Sequence, residues 1–284
     1  MKSDARTILI RSFLASMLLL TTGLWPSAAS AEPTERMELK MVMYMAGLTA
    51  GTMKLSVDFN DVDVTSSLKL KSKGVVKMMT GYKGRSQART TLLENGWPVP
   101  VTYDAAYETR KYDRKIEIRY SPDQGDIDDL RIWKRGELRN SKVPDTLWQS
   151  TIDPLTAVLH FRHWVLAMRD DPSAKKRQMF EIFDGRRRYR LNAEVIERDI
   201  INFGGEEQPA YRIKIILEPL AGFSSKDLLA NWSSEDGSRW IELVITDNNN
   251  PVPLSLNTKG GTLKTSILLE SICDRDNNCT AFDS

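Results

Sequence analysis

The chain is poor in histidine and cysteine, which enzymes use for acid–base, nucleophilic and metal chemistry: its 284 residues hold two of each. His160 and His163 stand three apart and share one side of any helix that carries them. A metal site there needs a third ligand from elsewhere, and no His-Glu-x-x-His pattern provides it. An ordinary helix surface facing a strand or solvent is the simpler reading. No Gly-x-Ser-x-Gly elbow occurs, so a Ser-His-Asp triad lacks its usual nucleophile. The spacing of Cys273 and Cys279 is not that of a redox Cys-x-x-Cys pair. In an oxidising compartment it reads as a local disulfide that pins the C-terminal tail, with about 2 kcal/mol for so short a loop. Once bonded, neither sulfur is a nucleophile. Asp274, Asp276 and Asn278 resemble the start of a calcium loop, but Cys279 takes the glycine position and the bidentate glutamate would fall past Ser284, which excludes an EF-hand.

An excess of one charge is missing as well. The formal net charge is +2, which residues 1–31 supply through Lys2, Arg6 and Arg11 against Asp4. The remainder is near neutral and lacks the electrostatic footprint of a nucleic-acid binder. Long apolar runs are scarce too. The run from Ser12 to Leu24 is interrupted by Trp25-Pro26, short of the roughly 18 residues a membrane span needs. Basic residues precede it and Ala29-Ser30-Ala31 follows it, the three-part pattern of a secretory signal cleaved after Ala31. The expectation is a signal peptide over 1–31, then a periplasmic, mostly-β single domain over 32–284 with no transmembrane span.

What is present is alternation. Met53, Leu55, Val57 and Phe59 oppose Lys54, Ser56 and Asp58. The same period of two recurs in Val62, Val64, Leu68 and Leu70, in Tyr112, Ile116, Ile118 and Tyr120, in Tyr211, Ile213, Ile215 and Leu217, in Ile241, Leu243 and Ile245, and in Leu263, Thr265, Ile267 and Leu269. One apolar and one wet face suits antiparallel strands. Glycine-rich turns separate the runs, among them Asn95-Gly96 and Gly204-Gly205. So many strands with one apolar side each predict a strongly curved antiparallel sheet or a partly open β-barrel. One segment breaks the period. Asp153-Pro154, then Leu155, Val158, Leu159, Val165, Leu166 and Met168, has helical spacing, with Asp153 as cap and Pro154 in the first turn. This predicts one inserted α-helix over about 153–168, packed on the concave face of the sheet. A weaker helical pattern covers Ser225 to Trp232.

Three further features bear on chemistry. Met41, Met43 and Met45 would share one face of a strand, a soft-ligand arrangement for monovalent copper. Same-face neighbours are about 6.6 Å apart, and Met37 and Leu39 continue the parity, so core is the better reading. The acidic groups Asp58, Asp61 and Asp63, and Asp126, Asp128 and Asp129, read as polar turns, and spacing alone pairs no two carboxylates across a cleft. In Phe183-Asp184-Gly185-Arg186-Arg187-Arg188-Tyr189, Asp184-Gly185 marks a hairpin turn. Arg186, Arg188 and Arg190 take the solvated parity. Arg187 takes the apolar parity of Tyr189, Leu191, Ala193 and Val195, and a guanidinium so placed needs a carboxylate, carbonyl dipoles or an anionic ligand.

The opening strand with its glycines (Tyr44 to Gly51), Asp153-Pro154-Leu155-Thr156-Ala157 with Arg162, and the Phe183 to Tyr189 segment together resemble the domain-of-unknown-function family DUF3108, exported envelope proteins of proteobacteria. The resemblance implies a curved half-barrel and no particular reaction. Arg190 departs from the family, which often has an acid there, and the Cys273–Cys279 tail reads as a local addition. The leading expectation is a non-catalytic periplasmic binding or scaffolding protein without cofactor or metal. It would hold a lipid-like or peptidic ligand, or an envelope protein, against Leu155, Leu159 and Trp164 on the helix and Arg187 and Tyr189 on the sheet. A docking protein of an outer-membrane assembly and a cell-wall hydrolase using unpaired acids are the alternatives.

Overall fold

The alternating runs fold as strands in the computed structural model, which describes residues 35–121, 125–171, 173–224, 239–260 and 264–282. The signal pattern over 1–31 and the helical pattern over Ser225 to Trp232 lie outside the described residues. In chain order the elements are β1 (Glu35–Met45), β2 (Leu48–Phe59), β3 (Asp63–Ser72), α1 (Gly74–Thr80), β4 (Lys83–Leu92), β5 (Pro98–Glu108), β6 (Asp113–Tyr120), β7 (Ile127–Lys134) and β8 (Glu137–Arg139). A short 3-10 turn (Asp145–Leu147), α2 (Pro154–Asp170), β9 (Arg177–Phe183), β10 (Arg188–Phe203), β11 (Glu206–Ala221), β12 (Trp240–Thr246), β13 (Pro253–Lys259), β14 (Thr265–Cys273) and β15 (Cys279–Ala281) follow.

The strands make one antiparallel sheet in the order β8-β7-β6-β5-β4-β3-β2-β1-β14-β13-β12-β11-β10-β9, with β15 added beside β14. Strands β8 and β9 are left as edges, so the sheet is not closed. Register shifts at Lys40/Met41, Arg89/Thr90, Arg119/Tyr120, Val195/Glu197 and Val244/Ile245 interrupt the ladders. Such irregularities increase local twist and bend the strand, which suits a sheet that must curl. The curl brings the β9–β10 turn against β6. Gly185 there has φ +85°, and a Cβ on it would stand 2.4 Å from Ile116 Cγ2. The outer edge of β9 is covered by Ile152, whose N–H donates to Glu181 O (3.0 Å) and whose carbonyl accepts from Phe183 N–H (2.9 Å), a protected edge rather than a bare one.

Helix α2 starts as predicted and runs two residues further. Asp153 accepts from the N–H groups of Leu155 (2.8 Å) and Thr156 (2.9 Å), and Pro154 fills the first turn. Leu155 and Leu159 join one apolar cluster with Met37, Leu39, Leu55, Val57 and Ile116 from β1, β2 and β6. Phe161, Trp164, Val165 and Met168 join a second cluster with Phe180, Ile213, Leu243 and Ile245 from β9, β11 and β12. A single helix can touch both halves of a sheet only if the sheet wraps around it, which puts α2 on the concave face. Thr156 fastens it there, its hydroxyl 3.1 Å from that of Thr90 on β4. The disulfide joins Cys273 to Cys279, and Asp274 closes its hairpin by accepting from the N–H groups of Asp276 and Asn278 at 2.9 Å each. Helix α1 has no counterpart in the sequence patterns, and it buries none of its residues. Among the described residues no helix is long and apolar enough to cross a membrane.

Candidate functional site

Between α2 and the concave face lies a cavity of about 390 Å³. Its near wall is the alternating face of β1 and β2, with Met37, Leu39 and Met41 beside Met53, Leu55, Val57 and Phe59. Tyr189, Leu191, Ile215, Leu217 and Ile241 from β10 to β12 form the far wall, and Leu155, Ala157, Val158, Leu159, Phe161 and Arg162 form the helix side. Met41 stands opposite Met53 in the ladder, so these methionines serve as pliable apolar wall. Small-molecule sites are of this size, about 300–1,000 Å³, mostly apolar with few polar groups. A dry engineered cavity of about 150 Å³ already takes up benzene.

Among the described residues lining the cavity, Arg162 and Tyr189 bring the only polar side chains. Arg162 is half-buried, its guanidinium 4.9 Å from the centre of the Phe59 ring. Its Nε is buried and has no hydrogen-bond partner among the described residues. Burial lowers its pKa, while Glu35 opposes that shift. A guanidinium edge at an apolar wall is what an anionic group satisfies best, through charge-assisted hydrogen bonds. Burial raises the pKa of Tyr189, and the charges of Asp184 and Asp153 add to that. Its hydroxyl therefore stays protonated and neutral.

Of the five residues predicted to form the site, Leu155, Leu159 and Tyr189 line this cavity, whereas Arg187 and Trp164 are not among its lining. Arg187 follows the hairpin turn, where Asp184 accepts from its N–H at 2.8 Å, and its guanidinium lies 5.4 Å from the Phe223 ring centre. Trp164 donates its indole N–H to Lys175 O at 2.8 Å and meets Phe161 edge-on; it fastens the segment after α2. The solvated parity of the neighbouring arginines is a network of ion pairs instead. Arg188 and Arg190 both hold Glu181, and Arg190 also reaches Glu218 at 3.1 Å.

Both histidines face the loop before β5. His160 is buried edge-on to Trp97 (4.4 Å between centroids), and His163 meets the same ring at 5.3 Å. Burial pushes the pKa of His160 down to about 4. Asp153 is fully buried, and burial raises its pKa to about 6 against the pull of its hydrogen bonds from Thr156 and Leu155. Four of the six acids in the two groups are engaged locally: Asp63 by Arg89 (2.7 Å), Asp58 by Arg36 (3.5 Å), Asp129 by Arg131 (2.9 Å) and Asp126 by the Ser150 N–H (2.9 Å). No group of three or more His, Cys, Asp or Glu residues among the described residues could hold a metal ion.

Residues 40–267 match the profile of a family described as protein of unknown function (DUF3108). No curated protein matches the chain. Among solved structures, a β-barrel-like protein of the domain-of-unknown-function family DUF1849 from Brucella abortus is 12% identical, with 86% of this chain and 98% of that one covered and a TM-score of 0.49. A "putative lipoprotein" from Parabacteroides distasonis is 10% identical, covering 85% and 96%, with a TM-score of 0.30. At these values neither bears on function.

Proposed function

The chain belongs to the DUF3108 family of proteins of unknown function, and we propose that it is a non-catalytic binding protein of the bacterial envelope that holds a single-chain amphiphile between α2 and the concave face of its sheet. The chain of the ligand lies along β1 and β2, and an anionic head group meets Arg162. The observation that carries this reading is the cavity of about 390 Å³, whose described lining residues are apolar except for Arg162 and Tyr189. Residues 1–31 support a periplasmic setting through their signal-like pattern, with the mature domain beginning at Glu32. The hydrolase alternative finds no carboxylate among the described residues that line the cavity.

The test begins with organic extracts of the purified mature protein, examined by mass spectrometry for a co-purifying lipid. A fluorescent fatty acid and the matching fatty alcohol are then titrated into delipidated protein. The acid is expected to bind at least tenfold more tightly than the alcohol, and Arg162→Gln to remove that preference while leaving alcohol binding. Met53→Trp, which places an indole in the cavity, is expected to abolish both. If neither probe binds, or if Met53→Trp binds both as well as the wild type, the proposed ligand site is wrong.

A further inference from the structure

The stretch from Val64 to Leu93 carries seven cations and no acid, although residues 32–284 taken together are neutral. The sheet lines several of them up. Lys40 stands opposite Lys54, Lys54 opposite Lys69, and Lys69 opposite Arg85, a single row across β1 to β4. Adjacent strands are about 4.8 Å apart, and like charges directly opposite one another are destabilising. Glu38 relieves Lys54 at 2.6 Å. Lys69 and Arg85 are exposed and have no ion-pair partner among the described residues, and the same holds for Lys71 one step further along β3. Lys83, opposite Lys71, reaches Glu108 only at 3.9 Å. A row maintained against its own repulsion fits an anionic surface.

The row leads to α1 at the end of the β3–β4 hairpin, where Val75 is 53%, Met78 63% and Met79 75% exposed. Lys73 and Lys77 flank these apolar side chains on the same short segment. The helix is held firmly. Lys73 N–H donates to Ala50 O (2.8 Å), Ser72 N–H to Tyr82 O (2.9 Å), Gly81 N–H to Lys77 O (2.9 Å) and Arg110 N–H to Thr80 O (3.0 Å). The fold therefore spends a fixed, hydrogen-bonded element on presenting three large apolar side chains to water. Apolar residues on one side and lysines around them are the composition of an element that lies in a membrane interface.

We propose that α1 is a membrane-docking tip: Val75, Met78 and Met79 enter the head-group region of a bilayer rich in anionic phospholipid, while Lys73, Lys77 and the β2–β4 cation row meet the lipid phosphates. This stands apart from the amphiphile cavity and does not depend on it. Near an anionic membrane surface each lysine contributes about fivefold to affinity, and the attraction is screened by salt.

The experiment is co-sedimentation of the full mature protein with vesicles of phosphatidylcholine alone, or mixed equally with phosphatidylglycerol. Binding is expected only to the mixed vesicles, and it should fall at high salt. A Met78→Asp/Met79→Asp variant should bind at least tenfold more weakly, and Lys73→Glu/Lys77→Glu roughly 25-fold or more. All four side chains are exposed, and an unchanged urea midpoint confirms that both variants fold. No binding to anionic vesicles, equal binding to both kinds, or wild-type binding by both variants overturns the proposal. So does a monomer–dimer equilibrium that Met78→Asp abolishes while vesicles go unbound, which would assign the tip to a second copy of the chain.

Discussion

Replacing Asp153 with asparagine removes one buried charge and little else. The amide oxygen can still accept from Leu155 and Thr156, and the amide group can donate to the Thr156 hydroxyl, which turns to keep Thr90. The folded carboxyl holds its proton up to about pH 6, against 3.8 for the ordinary side chain. Between those values the folded state binds more protons than the unfolded one, so stability falls as pH rises through the window. The full effect is roughly 3 kcal/mol, with about 2 kcal/mol of it between about pH 4.5 and about pH 7.5. His160 acts in the opposite sense. Its pKa is lowered from 6.5 to about 4 by burial, so the unfolded state binds the extra proton and stability rises across the same interval by about 2.5 kcal/mol. In the wild type the two nearly cancel. Asp153→Asn is expected to expose the histidine, with stability rising by about 2.5 kcal/mol from about pH 4.5 to about pH 7.5. His160→Gln should expose the carboxyl, with a fall of about 2 kcal/mol over the same range. Urea unfolding followed by tryptophan fluorescence at the two pH values measures both, and comparison with the wild type cancels the other titrating groups. Profiles for Asp153→Asn and His160→Gln that both run parallel to the wild type within about 0.5 kcal/mol would mean that burial shifts neither group in the folded protein.

Three other outcomes are expected. Gly222→Ala forces a side chain onto φ +80° with its Cβ 2.1 Å from Arg186 O, and should lower stability by more than about 2 kcal/mol in urea unfolding. Cys279→Ser opens only a short loop between β14 and β15, so it should cost at most about 2 kcal/mol, and probe binding in the cavity should be unchanged. Intact-mass measurement of the protein recovered from the periplasm should give a chain that begins at Glu32; a mass that retains residues 1–31 would contradict the cleavage reading.

The sheet and α2 were legible because both have long one-sided patterns. Period two over β2, β6 and β11 fixed which side chains face inward, and Asp153-Pro154 marked the helix start. The short α1 showed nothing, since its seven residues bury no apolar face. The lining of the cavity was legible in part, and the residues that lie away from it do so for geometric reasons. Leu155 and Leu159 lie one helical turn apart, but Trp164, nine residues from Leu155, comes half a turn around at about 100° per residue. Arg162, seven residues from Leu155, returns to the cavity side, a spacing that could have singled it out. Its contact with Phe59 could not be read, because that ring comes from a strand a hundred residues earlier. Arg187 shares the parity of Tyr189 on paper, yet it sits in the turn, and a register shift between Arg188 and Tyr189 against β11 breaks the alternation there.

The cavity itself is tested most directly by crystals of the delipidated protein soaked in a bromine-tagged fatty acid. Binding in the cavity places anomalous bromine density between α2 and the β1–β2 wall, near Met37, Met53 and Leu159, with the carboxylate at Arg162. Density confined to the outer face of the sheet, or a water-filled cavity at saturating ligand, would contradict it.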